Sequence, residues 1–206
     1  MVKESLAEGV GPGLQSAPMD WSPLTSDHFP REVRGDQAAI EAAYGDPESY
    51  LHADADRPDF DVRWRGAILQ RVAFPSPVSY SGTAKTMSGI YVHRRIAAAL
   101  DGVLSELADS GAWRHVLDCA GAYCYRLQRG GISRSLHCWG AAIDFNALRY
   151  PLGTLPDFED PFVRIVVPTF ERHGWLWGGR WTRPDVQHLQ ATLRFSPSTQ
   201  PIRRDP

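Results

Sequence analysis

Residues 135–144 read SLHCWGAAID, and this stretch gives the strongest indication of both fold and chemistry. It places His137 and Asp144 seven residues apart, with Gly140 between them. A helix would also bring the two side chains to one side, but the glycine and the β-forming residues after it favour a strand. We therefore predict a strand over residues 140–146, with one apolar face for the core and a small, polar face that carries Asp144.

A second alternation of apolar and polar side chains runs over residues 186–195. His188 and Gln190 fall on its polar face, as expected for a strand with one buried side. Pairing of the two predicted strands would bring His188 beside Asp144. Asp185 follows a proline and lies on the turn that enters the second strand, from where it could reach a metal-bound water.

Two imidazoles and one carboxylate can hold Zn²⁺ and leave one coordination position for water. Zinc lowers the pKa of that water from ~15.7 to near neutrality, and a neighbouring carboxylate can then act as its base. The residues suggest a zinc hydrolase with His137, Asp144 and His188 as ligands and Asp185 as base. On spacing alone the other interpretation stays open, in which these are surface or capping residues.

Composition and charge limit the partners that the chain can have. It has 206 residues with a formal net charge of -2 and a pI near 6.4, and no basic stripe, so we expect no nucleic-acid partner. No apolar run has the length of a membrane span. The first ten residues carry acids where a signal peptide would be apolar, and the three cysteines are an odd number. We therefore expect synthesis in the cytoplasm without a signal peptide, with reduced thiols.

The domain organisation that we predict is a flexible arm over residues 1–30, a single domain over 31–196 and a tail over 197–206. The elements predicted within the domain are a helix over 37–44, a strand and loop over 61–79, a helix over 88–108, a strand over 113–119, a strand over 140–146, a helix over 160–173 and a strand over 186–195. This order predicts an α+β fold, in which helices pack on a small, mostly antiparallel sheet.

The motifs resemble those of a known family. Residues 135–144 match the S-x-H-x-x-G-x-A-x-D pattern of the zinc peptidases of bacterial cell walls. That group includes D-alanyl-D-alanine carboxypeptidases and dipeptidases and the L-alanyl-D-glutamate endopeptidases of phage endolysins. The resemblance continues in 121–126, which is similar to the group's G-x-Y-x-x-R segment, and in 174–181 and 185–188. It covers roughly residues 85–195, with a weaker similarity over 38–80.

The resemblance implies a role for each candidate residue and a fold like that of Hedgehog and D-Ala-D-Ala peptidases. His137, Asp144 and His188 would bind zinc, and Asp185 would be the general base. Arg126 would polarise the scissile carbonyl or pair with a substrate carboxylate. Two further residues would contact the substrate: Ser135, which would otherwise brace the ligand loop, and Trp181, which would otherwise cover a small core. The substrate would be the stem peptide of peptidoglycan. Separately, we expect a monomer, encoded by a phage, a prophage or a bacterium, that acts on the wall after release from the cell.

The sequence departs from the family pattern after His188. The family often has an aromatic residue and then an acid there, and this chain has Leu189 and Gln190. This departure leaves room for an alternative, a non-catalytic module that binds the cell wall and keeps the peptidase fold. Aspartate at position 185, where several carboxypeptidases of the group have glutamate, resembles the endopeptidases.

The remaining candidates have simpler interpretations. We interpret His93 and His115 as residues at the core boundary rather than as ligands. Cys119 and Cys124, with His115, fit no strong zinc-ribbon spacing, and Cys138 would point away from the metal if His137 points towards it. The three unpaired thiols motivate a third hypothesis, a cysteine-dependent enzyme or redox protein, which full activity after alkylation of the thiols would remove.

Overall fold

A computed structural model describes residues 21–32, 37–47 and 66–194 of the chain. The predicted tail and the first twenty residues of the predicted arm lie outside the described residues. The described end of the arm packs on the domain, because Phe29 is buried and its ring contacts the Trp175 ring edge-on, with centroids 5.9 Å apart. Packed structure therefore begins before residue 31.

The described part of the chain contains a six-stranded sheet and a separate strand pair. The six-stranded sheet has the order β3-β2-β4-β5-β7-β6, in which only β2 and β4 pair in parallel. The strands are β1 (Arg31–Glu32), β2 (Leu69–Tyr80), β3 (Thr86–His93), β4 (Asp118–Gly121), β5 (Ala142–Phe145), β6 (Leu176–Trp177), β7 (His188–Gln190) and β8 (Leu193–Arg194). β1 and β8 form the separate strand pair, in which the two strands run parallel.

The helices lie on this sheet and confirm the predicted α+β class. The longer ones in the described part of the chain are α1 (Ala38–Tyr44), α2 (Arg94–Asp109) and α3 (Val167–Arg172), which continues a π-helical turn over Phe162–Val166. α2 buries the stripe that its spacing predicts, including Leu100, Leu104 and Leu107. Gly45 and Gly174, which the sequence places after two helices, both have positive φ angles.

Several element predictions were wrong in part. The predicted helix over 88–108 begins only at Arg94, because residues 86–93 alternate buried and exposed side chains and pair with β2 as a strand. The predicted strand over 113–119 starts as a 3₁₀ helix, Ala112–His115, and becomes strand only at Asp118. Side chains three residues apart lie on the same side of a 3₁₀ helix, and Trp113 and Val116 are accordingly both buried.

β2 also differs from its prediction, because it continues through Pro75 and Pro77 instead of ending in a loop. The register between β2 and β3 shifts between Ala73 and Val78. The two prolines, which have no N–H to give to a sheet, lie in this irregular part of the strand.

The core fixes the direction in which β5 presents its side chains. Phe145 is fully buried and contacts the rings of Phe74, Trp113 and Phe170, with centroids 5.8–6.1 Å apart. Because neighbouring residues of a strand point to opposite faces, Asp144 is directed to the other side of the sheet.

Gly140 allows the preceding segment to lie against the sheet. This segment, residues 135–139, carries the candidate ligand His137, and we call it the ligand loop. It has φ +65°, and a Cβ at this position would lie 2.8 Å from Leu69 Cδ2 and 3.1 Å from the His93 nitrogen. Both the conformation and the close approach require glycine. The His93 N–H donates to the Gly140 carbonyl at 2.9 Å and completes the attachment.

Candidate metal centre

The side chains of His137, Asp144 and His188 converge at one point, as the strand patterns predict. Asp144 on β5 stands opposite His188 on β7 in the antiparallel register. His137 enters from the 3₁₀ helix Leu136–Trp139, which immediately precedes β5. One ligand atom from each of the three residues lies within 4.8 Å of the others, and no other group of this kind is found among the described residues.

The distances within this cluster fit a small tetrahedral cation. His137 Nε2 lies 3.2 Å from Asp144 Oδ1 and 3.3 Å from His188 Nδ1, and His188 Nδ1 lies 2.9 Å from Asp144 Oδ1. Ligands bound to zinc at ~2.0–2.1 Å in a tetrahedron are separated by ~3.3–3.4 Å. The three atoms therefore stand close to the edge lengths that such a cation requires.

The outer nitrogen of each imidazole is held by an oxygen that can only accept a hydrogen bond. His137 Nδ1 donates to the Ala122 carbonyl at 2.8 Å, and His188 Nε2 donates to Gln190 Oε1 at 2.9 Å. When both imidazoles are neutral, these bonds leave the lone pairs of His137 Nε2 and His188 Nδ1 directed into the cluster, where a cation would bind. Metal-binding histidines are commonly oriented in this way by a second layer of hydrogen bonds, so the donor set fits a metal.

Electrostatics in the cluster favour a negative carboxylate beside positive charge. Burial raises the pKa of Asp144, but the charges and hydrogen bonds of His137 and His188 outweigh it and hold the pKa below its ordinary value. Burial lowers the pKa of His188, but the hydrogen bond and charge of Asp144 outweigh it and raise the pKa. An ionised carboxylate is thus maintained where a cation would sit.

Asp185 lies beside the cluster, on the turn before β7. Its N–H donates to the Gly178 carbonyl at 3.0 Å, and its own carbonyl accepts from the His188 N–H at 3.1 Å. Its Oδ1 is buried and has no hydrogen-bond partner among the described residues. Burial raises the pKa of this carboxyl; His188 lowers it, and the charge of Asp144 raises it further. A buried, unpaired oxygen with a raised pKa suits a group that takes up a proton.

Gly178 permits this close arrangement. A Cβ on Gly178 would lie 2.7 Å from the Asp185 carbonyl oxygen and 3.2 Å from the Cβ atoms of Asp185 and His188. Any side chain at position 178 would therefore push the turn that carries both residues. This contact was not predicted from the sequence, where its one visible sign is the Gly178-Gly179 pair between Trp177 and Trp181.

The three residues predicted to contact substrate have different settings. Ser135 is buried and caps the 3₁₀ helix, because its hydroxyl accepts from the His137 N–H at 3.4 Å. The Trp181 ring is half-buried and lies 5.3 Å from the His188 ring. The Arg126 guanidinium donates to the Leu127 carbonyl at 3.3 Å, and no hydrogen bond joins it to the cluster among the described contacts.

Cys138 attaches the Arg126 segment to the ligand loop. Its thiol donates to the Arg126 carbonyl at 2.9 Å and accepts from the Arg126 N–H at 3.2 Å. The Cys124 N–H donates to the His137 carbonyl at 3.0 Å and adds a second connection. The segment with Arg126 and the loop with His137 are therefore held side by side.

Among the described residues, the surroundings of the cysteines and of His93 indicate structural roles and not catalytic ones. All three cysteines are free, and burial raises the pKa of Cys119 to about 12 and also raises that of Cys138. Neither buried thiol is poised to act as a thiolate nucleophile. His93 is buried and caps α2 by accepting from the Arg95 N–H at 3.2 Å.

Comparison with known proteins supports the family resemblance. A family model described as D-alanyl-D-alanine carboxypeptidase matches residues 129–191. The matched segment includes His137, Asp144, Asp185 and His188 and covers less than a third of the chain. The match confirms the resemblance to this family of peptidases that the motifs indicate. No curated protein and no solved structure gave a significant match. None of the described helices is long and apolar enough to cross a membrane.

Proposed function

We propose that this chain is a zinc-dependent peptidase that hydrolyses peptide bonds of the peptidoglycan stem peptide. The bond is either L-Ala-D-Glu, cut by an endopeptidase, or D-Ala-D-Ala, cut by a carboxypeptidase. The observation that carries the proposal is the convergence of His137 Nε2, His188 Nδ1 and Asp144 Oδ1 within 3.3 Å of one another. The family match over residues 129–191 supports the peptide substrate.

Three of the residues would bind zinc, and a fourth would transfer the proton during hydrolysis. His137, Asp144 and His188 would hold zinc, which when bound lowers the pKa of its water ligand towards neutrality. Asp185 accepts the proton of the attacking water and returns it to the leaving amine. Asp185 suits this step because its buried Oδ1 has no other hydrogen-bond partner in the described structure.

The remaining candidates would bind and orient the peptide. Arg126 polarises the scissile carbonyl or pairs with a substrate carboxylate, because its guanidinium offers paired donors and keeps its charge at neutral pH. Trp181, whose ring lies 5.3 Å from the His188 ring, would contact the bound peptide beside the ligands. Ser135 supports the ligand loop by accepting from the His137 N–H. A hydroxyl has one O–H donor and two lone pairs, so this bond leaves it able to hydrogen-bond substrate as well.

The decisive experiment combines zinc analysis with digestion of purified peptidoglycan. The chain should hold one zinc, release new peptide termini from muropeptides and lose this activity with a chelator. Asp185→Asn should keep its zinc and lose activity by about 10²- to 10⁴-fold, because only the proton acceptor is removed. Equal cleavage by chelated protein would contradict the proposal.

The same experiment separates the alternative and identifies the bond. Binding of peptidoglycan with no new termini would favour the non-catalytic wall-binding module. Mass spectrometry of the products distinguishes the two reactions, because a carboxypeptidase releases D-alanine and an endopeptidase leaves L-alanine as a new carboxyl end.

A further inference from the structure

Gln190 connects His188 to Thr192 through two buried hydrogen bonds behind the candidate metal cluster. It lies on β7 two residues after His188 and therefore on the same face of the strand. Its Oε1 lies 2.9 Å from His188 Nε2, and its Nε2 donates to Thr192 Oγ1 at 2.5 Å. Gln190 and Thr192 are only 2% and 1% exposed, so water does not compete for these bonds.

The orientation of this amide decides which nitrogen of His188 can bind a cation. A neutral imidazole has one N–H and one lone pair, and an amide oxygen can only accept. With Oε1 facing His188, the proton must be on Nε2 and the lone pair on Nδ1. Nδ1 is the atom that faces Asp144 Oδ1 and His137 Nε2, at 2.9 and 3.3 Å.

The reversed amide would have the opposite effect. The Gln190 N–H groups would then face His188 Nε2, which would have to accept, and the proton would move to Nδ1. A protonated Nδ1 has no lone pair for a metal, so the cluster would lose one of its three ligands. In the structure the amide nitrogen is directed instead to the Thr192 hydroxyl, which accepts its hydrogen bond.

We infer that Gln190 is a positioning residue for the metal centre, which fixes the tautomer and ring orientation of His188 while Thr192 supports its amide. The inference rests on the proposed function in that it assumes His188 is a metal ligand. It assigns a role to the residue at which this chain departs from the acid common in the family. A neutral amide supplies the acceptor without adding a second negative charge beside the ligands.

Zinc affinity of the full-length chain tests this inference directly, by competition with a chromogenic chelator. Gln190→Met keeps the length of the side chain and removes the acceptor, and it should weaken zinc binding by about 10- to 100-fold. Gln190→Glu keeps an acceptor and should bind zinc at least as tightly as the unchanged chain. Thr192→Val removes the support of the Gln190 amide, one step further from His188, and should weaken zinc binding less than Gln190→Met does.

A spectroscopic reading separates positioning from a purely structural role. In zinc-loaded protein with ¹⁵N-labelled histidine, long-range proton–nitrogen spectra should show His188 with a protonated Nε2 and a metal-bound Nδ1. Gln190→Met should lose this single pattern while its zinc-free circular dichroism stays unchanged. If Gln190→Met is unfolded, the glutamate variant decides, and zinc binding weakened by 10-fold or more in Gln190→Glu overturns the inference.

Two further outcomes have distinct meanings. Unchanged zinc affinity and an unchanged His188 spectrum in Gln190→Met overturn the inference and leave the proposed function standing. Failure of the unchanged chain to bind zinc overturns both.

Discussion

Buried His93 should make the folded chain sensitive to acid. Burial lowers the pKa of His93 to about 3; the hydrogen bond to the Tyr44 carbonyl opposes this, and Arg95 and Arg94 lower the pKa further. In the unfolded chain the pKa is ~6.5. Below pH 6.5 the unfolded chain therefore takes up a proton that the folded chain excludes, and stability falls as the pH falls towards 3.

The size of this effect follows from the two pKa values. Between pH 7 and pH 5 the linkage removes about 2 kcal/mol of unfolding free energy, and above pH 7 it removes almost none. His93→Asn removes the titrating group and keeps an acceptor for the Arg95 N–H at the start of α2. The variant is less stable at pH 7, because the bond from His93 Nε2 to the Tyr44 carbonyl is lost.

The assay is urea unfolding of the chelator-treated chain at pH 7 and pH 5. The fall in unfolding free energy between these values should be about 2 kcal/mol smaller in His93→Asn than in the unchanged chain. Contributions from Asp144 and His188 are present in both chains and cancel in the comparison. His28→Asn, at an exposed position, is the matched control. Equal pH dependence in the unchanged chain and His93→Asn would refute the reasoning.

Three further perturbations test the account. Gly178→Ala should lower kcat/KM by about 10- to 100-fold in muropeptide assays, because its Cβ displaces the turn that carries Asp185. Gly66→Ala, in open space, should leave kcat/KM unchanged, and a similar loss in both would contradict this explanation. Gly140→Ala should cost about 2–4 kcal/mol of unfolding free energy from strain and overlap together. Gly82 also has a positive φ, but a Cβ there would meet no atom within 4 Å. An equally large loss of stability in Gly82→Ala would therefore show that overlap is not the cause. Alkylation of exposed Cys124 should leave cleavage intact, and abolished cleavage would favour the cysteine-dependent alternative.

The placement of the candidate ligands Asp144 and His188 was predictable because strand geometry is regular. Side chains alternate with a period of two, so the sequence alone predicts which residues of 140–146 and 186–195 lie on the polar face of each strand. The structure confirms the pairing of Asp144 with His188. His137 was predicted from its spacing to Asp144, although the 3₁₀ turn that carries it is too short to show periodicity.

Contacts between distant parts of the chain could not be predicted in the same way. Residues 86–93 have apolar spacings that also fit a helix, and only hydrogen bonds to β2 make them a strand. Ala122 supports His137 through a backbone carbonyl, for which every residue type is equivalent. Gln190 lies on the predicted polar face, but its contact with His188 depends on side-chain conformation.

Anomalous diffraction at the zinc absorption edge, on crystals of the zinc-loaded chain, tests the central claim most directly. The account predicts a single peak ~2.0–2.2 Å from His137 Nε2, His188 Nδ1 and an Asp144 oxygen. A peak bound by other residues, or no peak at these three side chains in a chain that carries zinc, would contradict it.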